Sequence, residues 1–356
     1  MEIDFEKLVC GSVLGGAVSR RINVPMMVGS LDVEVPVAEC RNVLYLPSVL
    51  DTGQSLCIAA GGVVPVESIL DPWTLDFVVA KRKSSPHLGA RYTQAFTVAR
   101  SDQRVCILGN VFSRNFGHWN EELLKVVVIE ALGIGCHYVL SELPEFAFSF
   151  LSSLGVTADR ILAPTDPTEY ASAIFTPAVS HENICRFPAV AALLRRALLG
   201  PLGRATSPYA RRLWLERGDM TPNGGMTLNK DEVHRCIRAY GFDAVDMANL
   251  PVAEQMLAVR DAEAVAGPHG AQFVHVMYLP PRSKVIECFS PDHVNPSVLQ
   301  ICRLLGHSYN QVVSRTHLID KYKHRRDLVV DCEHLALVLD HLLGDLPPLV
   351  PEGRLP

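Results

Sequence analysis

Closely spaced cysteines are missing from this chain. Ten cysteines are scattered through 356 residues, the nearest two, Cys288 and Cys302, stand fourteen apart, and no CxxC pair occurs. That spacing excludes the common zinc-ribbon frames and argues against a disulfide scaffold. Thiols set singly in apolar runs, as Cys57, Cys106 and Cys236 are, read instead as buried free cysteines of a reducing compartment. The opening MEIDFEKLVCGSV has neither the basic start nor the apolar block of a secretory signal. No apolar run reaches the roughly 18 residues that a membrane span needs. The longest candidate, Val126 to Leu140, is broken by Glu130 and His137. A cytoplasmic protein is expected, at most at the inner face of a membrane.

Several catalytic frames are absent too. There is no GxxxxGK[ST] phosphate loop, no GxSxG elbow and no HExxH, and Gly133 and Gly135 lack the third glycine of a GxGxxG. No two aspartates stand two apart, so an Asp-x-Asp metal pair is lacking, and nothing read from the sequence asks for a metal or another cofactor. With 20% charged residues and a net charge of -5, general nucleic-acid binding is argued against.

What is present is a soluble-type composition, 48% hydrophobic, long enough for two cores at about 150 residues per domain. Up to about Leu108 the pattern is short apolar and alternating runs, read as strands, among them Val24 to Val37, Arg41 to Leu46 and Leu75 to Val79. A helix is predicted from about His118 to Gly133, and α/β alternation begins there. The small, turn-rich stretch Gly200 to Pro208 sets a boundary, giving an acceptor-side domain over 1–205 and a second domain over 206–310. A tail over 311–356 carries a basic run and a helix and is expected to pack back on the first domain. In the second domain Asn229 and Glu232 have the spacing of a capping box, Gly241 ends that helix, and Pro251 begins another. Strand–helix repeats of this length imply a parallel sheet with helices on both faces. The basic run, Lys321, Lys323, His324, Arg325 and Arg326, reads first as a solvated face, with an anionic acceptor or a membrane surface as the alternative.

One stretch, Glu263 to Phe289, reads strand, tight turn at Gly267-Pro268-His269-Gly270, helix, Pro280-Pro281, strand. Such turns lie at the carboxyl end of a parallel sheet and offer helix amides to anions. Arg217, His269 and Glu287 each follow or close an apolar run and are expected on one rim. An arginine grips phosphate oxygens, the amides of Gly270, Ala271 and Gln272 face the anion, and a carboxylate takes ribose hydroxyls. Together they describe a nucleoside diphosphate site; each alone is more often a surface ion pair, a turn residue or a solvated strand end. Upstream, His118 shares a helix face with Glu122, with Glu121 beside them, the arrangement of a general base backed by a carboxylate. The plainer reading is a helix start with acids placed for its dipole and Trp119 as a core anchor.

The segments NFGHWNEEL, RRLWLERGDMTPNGGMTLNKDEV and LPVAEQMLAVRDAEAVAGPHGAQFVHVMYLPPRSKVIECF together resemble glycosyltransferase family 61 over about Val111 to Phe289. The resemblance implies a fold of GT-B type, two Rossmann-like domains facing a cleft with a β-rich N-terminal part. It also implies inverting transfer from a nucleotide sugar, UDP-linked sugars foremost, to a glycan or lipid-linked oligosaccharide, as in capsule or other surface-glycan assembly. Arg217 matches the family's arginine after a strand, Glu254-Gln255 its EQ pair, and His269-Gly270-Ala271 its HGA. By this reading Arg217, Gly267, His269, Gly270, Ala271, Gln272 and Glu287 hold the donor, His118 with Glu121 or Glu122 takes the acceptor's proton across the cleft, and no metal is needed. Two departures stand out: Gly224-Gly225-Met226 replaces an arginine pair, for which Arg212 or Arg282 is the substitute, and Gln272 and His275 stand where glycine and asparagine are usual. A non-catalytic binder of nucleotide sugar or glycan and a nucleotide-sugar epimerase are the competing readings, and homo-oligomerisation stays open.

Overall fold

The computed structural model describes residues 9–11, 18–25, 30–47, 56–59, 63–65, 95–108, 116–140, 144–176, 188–217, 227–291, 293–315 and 328–344. The expected strand Leu75 to Val79, the segment Gly224-Gly225-Met226 and the basic run Lys321 to Arg326 lie outside these residues. The chain divides into two compact units, Met1–Ala197 and Leu198–Pro356, the sequence having set the seam at residue 205.

In the first unit, β1 (Val9–Gly11) pairs in parallel with β5 (Val63–Pro65). A seven-stranded mixed sheet, among the described residues, runs β2 (Val18–Pro25), β3 (Ser30–Leu46), β9 (Thr168–Phe175), β6 (Ala99–Ile107), β7 (His137–Val139) and β8 (Ile161–Leu162), with β4 (Leu56–Ile58) beside β3. The strands β6 to β9 pair in parallel, whereas β2, β4 and β9 run antiparallel to β3. Val43, Tyr45, Val105, Ile107, Val139 and Ala173 supply one core. Helix α1 (Trp119–Ala131) is buried from Trp119 to Ile129, which its apolar residues on every side require. Gly133, at φ 64, follows its end. Near that end Glu130 accepts two hydrogen bonds from Arg160, at 3.0 and 2.7 Å, and one from the Tyr138 hydroxyl at 2.5 Å. Helices α2 (Glu145–Ser153) and α3 (Pro188–Leu199) complete the described helices up to the division.

The second unit holds β10 (Arg212–Leu215), β11 (Asp243–Val245), β12 (Ala264–Pro268), β13 (Lys284–Phe289) and β14 (Ser308–Val313), all parallel, in the order β11-β10-β12-β13-β14. The winding reverses between β10 and β12, the switch point where open parallel sheets leave a crevice for ligands. Trp214, Ala264, Ala266, Ile286, Cys288 and Val312 line one face. Against it pack Val233 and Ile237 of α4 (Lys230–Ala239) and Leu335, Leu339 and Leu343 of α7 (Cys332–Leu343). The tail helix is thus part of this unit's own core, correcting its expected place on the first domain. The helical elements between the remaining strands are α5 (Val252–Arg260), a 3-10 run over Ala271–Tyr278 and α6 (Ser297–Leu305).

Two local expectations are revised. Asn229 forms no capping hydrogen bond; its amide instead clamps residue 330, donating to the Val330 carbonyl at 2.9 Å and accepting from the Val330 amide at 2.9 Å. The helix expected after the Gly267 turn is 3-10 throughout. There Gln272 Nε2 donates to the Pro268 carbonyl at 2.6 Å, taking the acceptor that an α-helical amide at 272 would use.

Candidate functional site

Strand register decides what meets at the rim. Trp214 pairs with Ala266 and Gly267 lies beside the Leu215 carbonyl, so Glu216 and Arg217 leave β10 at the same end of the sheet at which Pro268 closes β12 and His269 follows it, on either side of the switch point. By strand alternation Arg217 and His269 belong to the face that also carries Leu215, Gly267 and Glu287.

Arg217 is half-buried, and among the described residues it makes no hydrogen bond or ion pair. Burial holds its guanidinium below the ordinary arginine value. A desolvated cation is costly unless it is paired, and an anionic ligand would offer it a partner.

His269 is the opposite case, a side chain held from several directions. Its amide donates to the Cys288 carbonyl at 2.8 Å, its Nδ1 lies 2.5 Å from Glu287 Oε1, and its ring stacks on Phe289 with centroids 5.0 Å apart. The His293 ring tilts against it at 5.4 Å. Nε2 has no hydrogen-bond partner among the described residues, and the side chain keeps 21% of its surface exposed. Beyond it the first bond of the 3-10 run joins the Phe273 amide to the Gly270 carbonyl at 3.0 Å. The amides of Gly270, Ala271 and Gln272 therefore precede any partner within that helix.

The expected donor contacts are thereby sorted. Glu287 lies inside the sheet and not at its rim: β13 runs two residues past it, its side chain is 0% exposed, and its oxygens receive His269 on one side and the Tyr309 hydroxyl, at 2.8 Å, on the other. Gly267 serves packing, since a Cβ there would lie 2.6 Å from the Leu215 carbonyl oxygen of the neighbouring strand. Arg212 opens β10 at the far end and on the opposite face, donating to Glu263 and to the Tyr240 carbonyl, each at 2.8 Å. Arg282 also precedes its strand, in a turn at φ 66, so neither arginine substitutes at this rim. Gln272 folds back over Gly270 through its bond to Pro268. Behind the turn His275, fully buried, spans the Gln272 carbonyl and the Gln255 amide at 2.8 Å each, and burial pushes its imidazole down to about 4. Gln255 of the EQ pair is in this way a support for the 3-10 run, while Glu254 is exposed.

In the first unit the backbone of His118 closes a 3-10 turn, Phe116–His118, immediately before α1, and its side chain lies outside the described atoms. Glu121 and Glu122 are both buried, at 2% and 1% exposure. Glu122 receives Lys125 Nζ at 3.0 Å, an ion pair within one helix turn that the sequence expectation overlooked. Tyr309, Phe289 and His293 were not among the sequence candidates; only the assembled sheet brings the first two to Glu287 and His269.

Among the described residues no helix is long and apolar enough to cross a membrane. A comparison with curated proteins finds no match to the chain. The stretch from the 3-10 turn at Phe116 through α1, Arg217 and His269 to Ile286 of β13, residues 116–286, matches the family model described as Glycosyltransferase 61, and this match supports the assignment to that family of glycosyltransferases.

Proposed function

We propose that the second unit binds the diphosphate of a nucleotide sugar at the rim formed by Arg217, His269 and the Gly270 to Gln272 amides. The reaction is inverting transfer of the sugar to a hydroxyl of a glycan or lipid-linked acceptor. Arg217 carries this reading: a desolvated guanidinium without a partner among the described residues, at the same end of the sheet as His269 and beside the switch point, inside the stretch that matches the family. In the transfer the acceptor oxygen attacks the anomeric carbon and the bond to the diphosphate oxygen breaks, the electron pair leaving with the diphosphate. Arg217 and the turn amides meet that growing charge and so favour the transition state over the bound donor. The acceptor's proton goes to a base, which we assign from sequence to His118. Glu121 or Glu122 backs that base in the same assignment. A GT-B arrangement, a UDP-linked donor, metal-independent chemistry and a role in capsule or other surface-glycan assembly belong to the same proposal.

The test is turnover of a panel of nucleotide sugars and glycan acceptors in the presence of chelator, with His118→Ala and Arg217→Ala as variants. Product with inverted anomeric configuration, lost in both variants, is expected. Full activity in both variants overturns the residue assignments, and strict dependence on a divalent ion overturns the metal-free chemistry. One observation favours a second reading, a binder without turnover: Gly224-Gly225-Met226 replaces the family's arginine pair, and neither Arg212 nor Arg282 reaches the rim. Nucleotide binding without product on any acceptor would decide for it.

A further inference from the structure

We propose that Tyr309 is a positioning residue for this site: through Glu287 it fixes the ring of His269 so that Nε2 is the nitrogen presented to the donor's diphosphate. The inference rests on the donor-site reading for its ligand, and on the sheet alone for its geometry. Three adjacent strands bring the groups together. Tyr309 on β14 donates to Glu287 Oε2 at 2.8 Å, Glu287 on β13 meets His269 Nδ1 through Oε1 at 2.5 Å, and His269 follows β12. Glu287 is wholly buried, so no bulk water competes for its oxygens. One donor at each oxygen holds the carboxylate plane by two points. With one anchor gone, the carboxylate turns about its last torsion, and the oxygen lone pair facing Nδ1 swings out of line.

The chemistry of the neighbours supports a fixed direction of donation. Burial first, and then the charge of Glu287 and the hydrogen bond to it, push the Tyr309 phenol up, so it keeps its proton and remains a donor. Two further titratable groups near the carboxylate are the Cys288 thiol on β13 and the Cys302 thiol on α6; burial pushes both up, and neither competes as a charge. The His293 ring is tilted against the His269 ring at 5.4 Å, and Arg217 follows the end of the neighbouring strand β10. With Oε2 taken by the phenol, Nδ1–H donates to Oε1, and the tautomer places the outward chemistry on Nε2. Phe289 stacked on the ring prevents it from turning over.

The experiment uses the full chain labelled with nitrogen-15 at histidine. Long-range proton–nitrogen correlation reads the tautomer of His269, whose signals are identified by their loss in His269→Asn, and calorimetry reads the affinity for inorganic pyrophosphate. In the wild-type chain the neutral ring is expected to carry its proton on Nδ1. In Tyr309→Phe the two tautomers mix, and the pyrophosphate dissociation constant rises about tenfold, the scale of one hydrogen bond to a charged group. Tyr240→Phe removes another phenol–carboxylate bond, Tyr240 to Asp340 at 2.8 Å, and leaves both readouts at wild-type values. An unchanged single tautomer in Tyr309→Phe, with or without weaker binding, overturns the proposal, as does a wild-type ring protonated on Nε2. If the tautomer mixes but the wild-type chain binds no pyrophosphate, Tyr309 keeps its role and the donor-site reading falls. Should Tyr309→Phe fail to fold, ring-fluorinated tyrosine, a stronger donor, must move the His269 Nδ1 proton signal; an unmoved signal overturns the proposal.

Discussion

Arg217→Met separates a ligand-gripping arginine from a structural one, because the two roles give opposite signs. In the free protein the guanidinium is held below its ordinary value by burial and has no partner among the described residues. Methionine keeps much of the stem and removes the desolvated charge, which returns about 1 kcal/mol, the low end of the cost of an unsatisfied buried polar group. For a unit the size of Leu198–Pro356 that is a rise in Tm of about 2–4 °C. Ligand binding moves the other way: loss of charge-assisted contacts to phosphate costs about 2–3 kcal/mol, roughly 30- to 150-fold in Kd. Thermal melting of the free chain and calorimetry with uridine diphosphate and pyrophosphate read the two effects separately. A lower Tm would mean that Arg217 has a structural partner, and unchanged nucleotide affinity would place the anion elsewhere; either result refutes the reasoning.

Three further outcomes are expected. Gly267→Ala sets a Cβ 2.6 Å from a strand carbonyl of β10, and urea unfolding should show a loss of about 2–4 kcal/mol or failure to accumulate folded protein. Asn229→Ala should cost about 1–3 kcal/mol and speed hydrogen exchange at the Val330 amide, whereas Glu232→Ala should cost far less, since no capping box exists. His275, pushed down to about 4 by burial, binds its proton more readily in the unfolded chain. Its stabilising contribution is therefore full above the unfolded value near 6.5 and is lost as pH falls from there toward 4, a slope that acid titration of stability should find in the wild type and miss in His275→Asn.

The second unit was readable because its punctuation is chemical. Gly241 and Gly306 both adopt φ 72 at helix ends, Pro251 caps α5, and apolar runs between such markers have little choice but to alternate strand and helix. Arg217 and His269 were legible for the same reason, as polar residues that follow apolar strands. Glu287 was misplaced because Lys284–Phe289 is apolar on both sides of it, so its position inside the strand leaves no mark in sequence. Arg211 and Arg212 look alike as letters, yet strand alternation exposes one and buries the other. Tyr309 lies 22 residues from Glu287, and their contact exists only once β13 and β14 are paired. In the first unit the Lys125 to Glu122 pair leaves no mark in sequence, because opposite charges three apart on a helix have the same spacing whether the face is buried or solvated.

The bonds that join β12, β13 and β14 through one buried carboxylate also limit how the sheet can assemble. Parallel strands of apolar residues slide against each other at little cost, because Val285, Ile286 and Phe289 are near-equivalent core fillers. A slip of β13 by one residue would turn Glu287 to the other face, among Trp214, Ala266 and Val312, and strand its charge without donors. The carboxylate thus acts as an alignment key: the misthreaded sheets that hydrophobicity alone would tolerate are penalised, and the chain that forms the rim correctly is the one that folds.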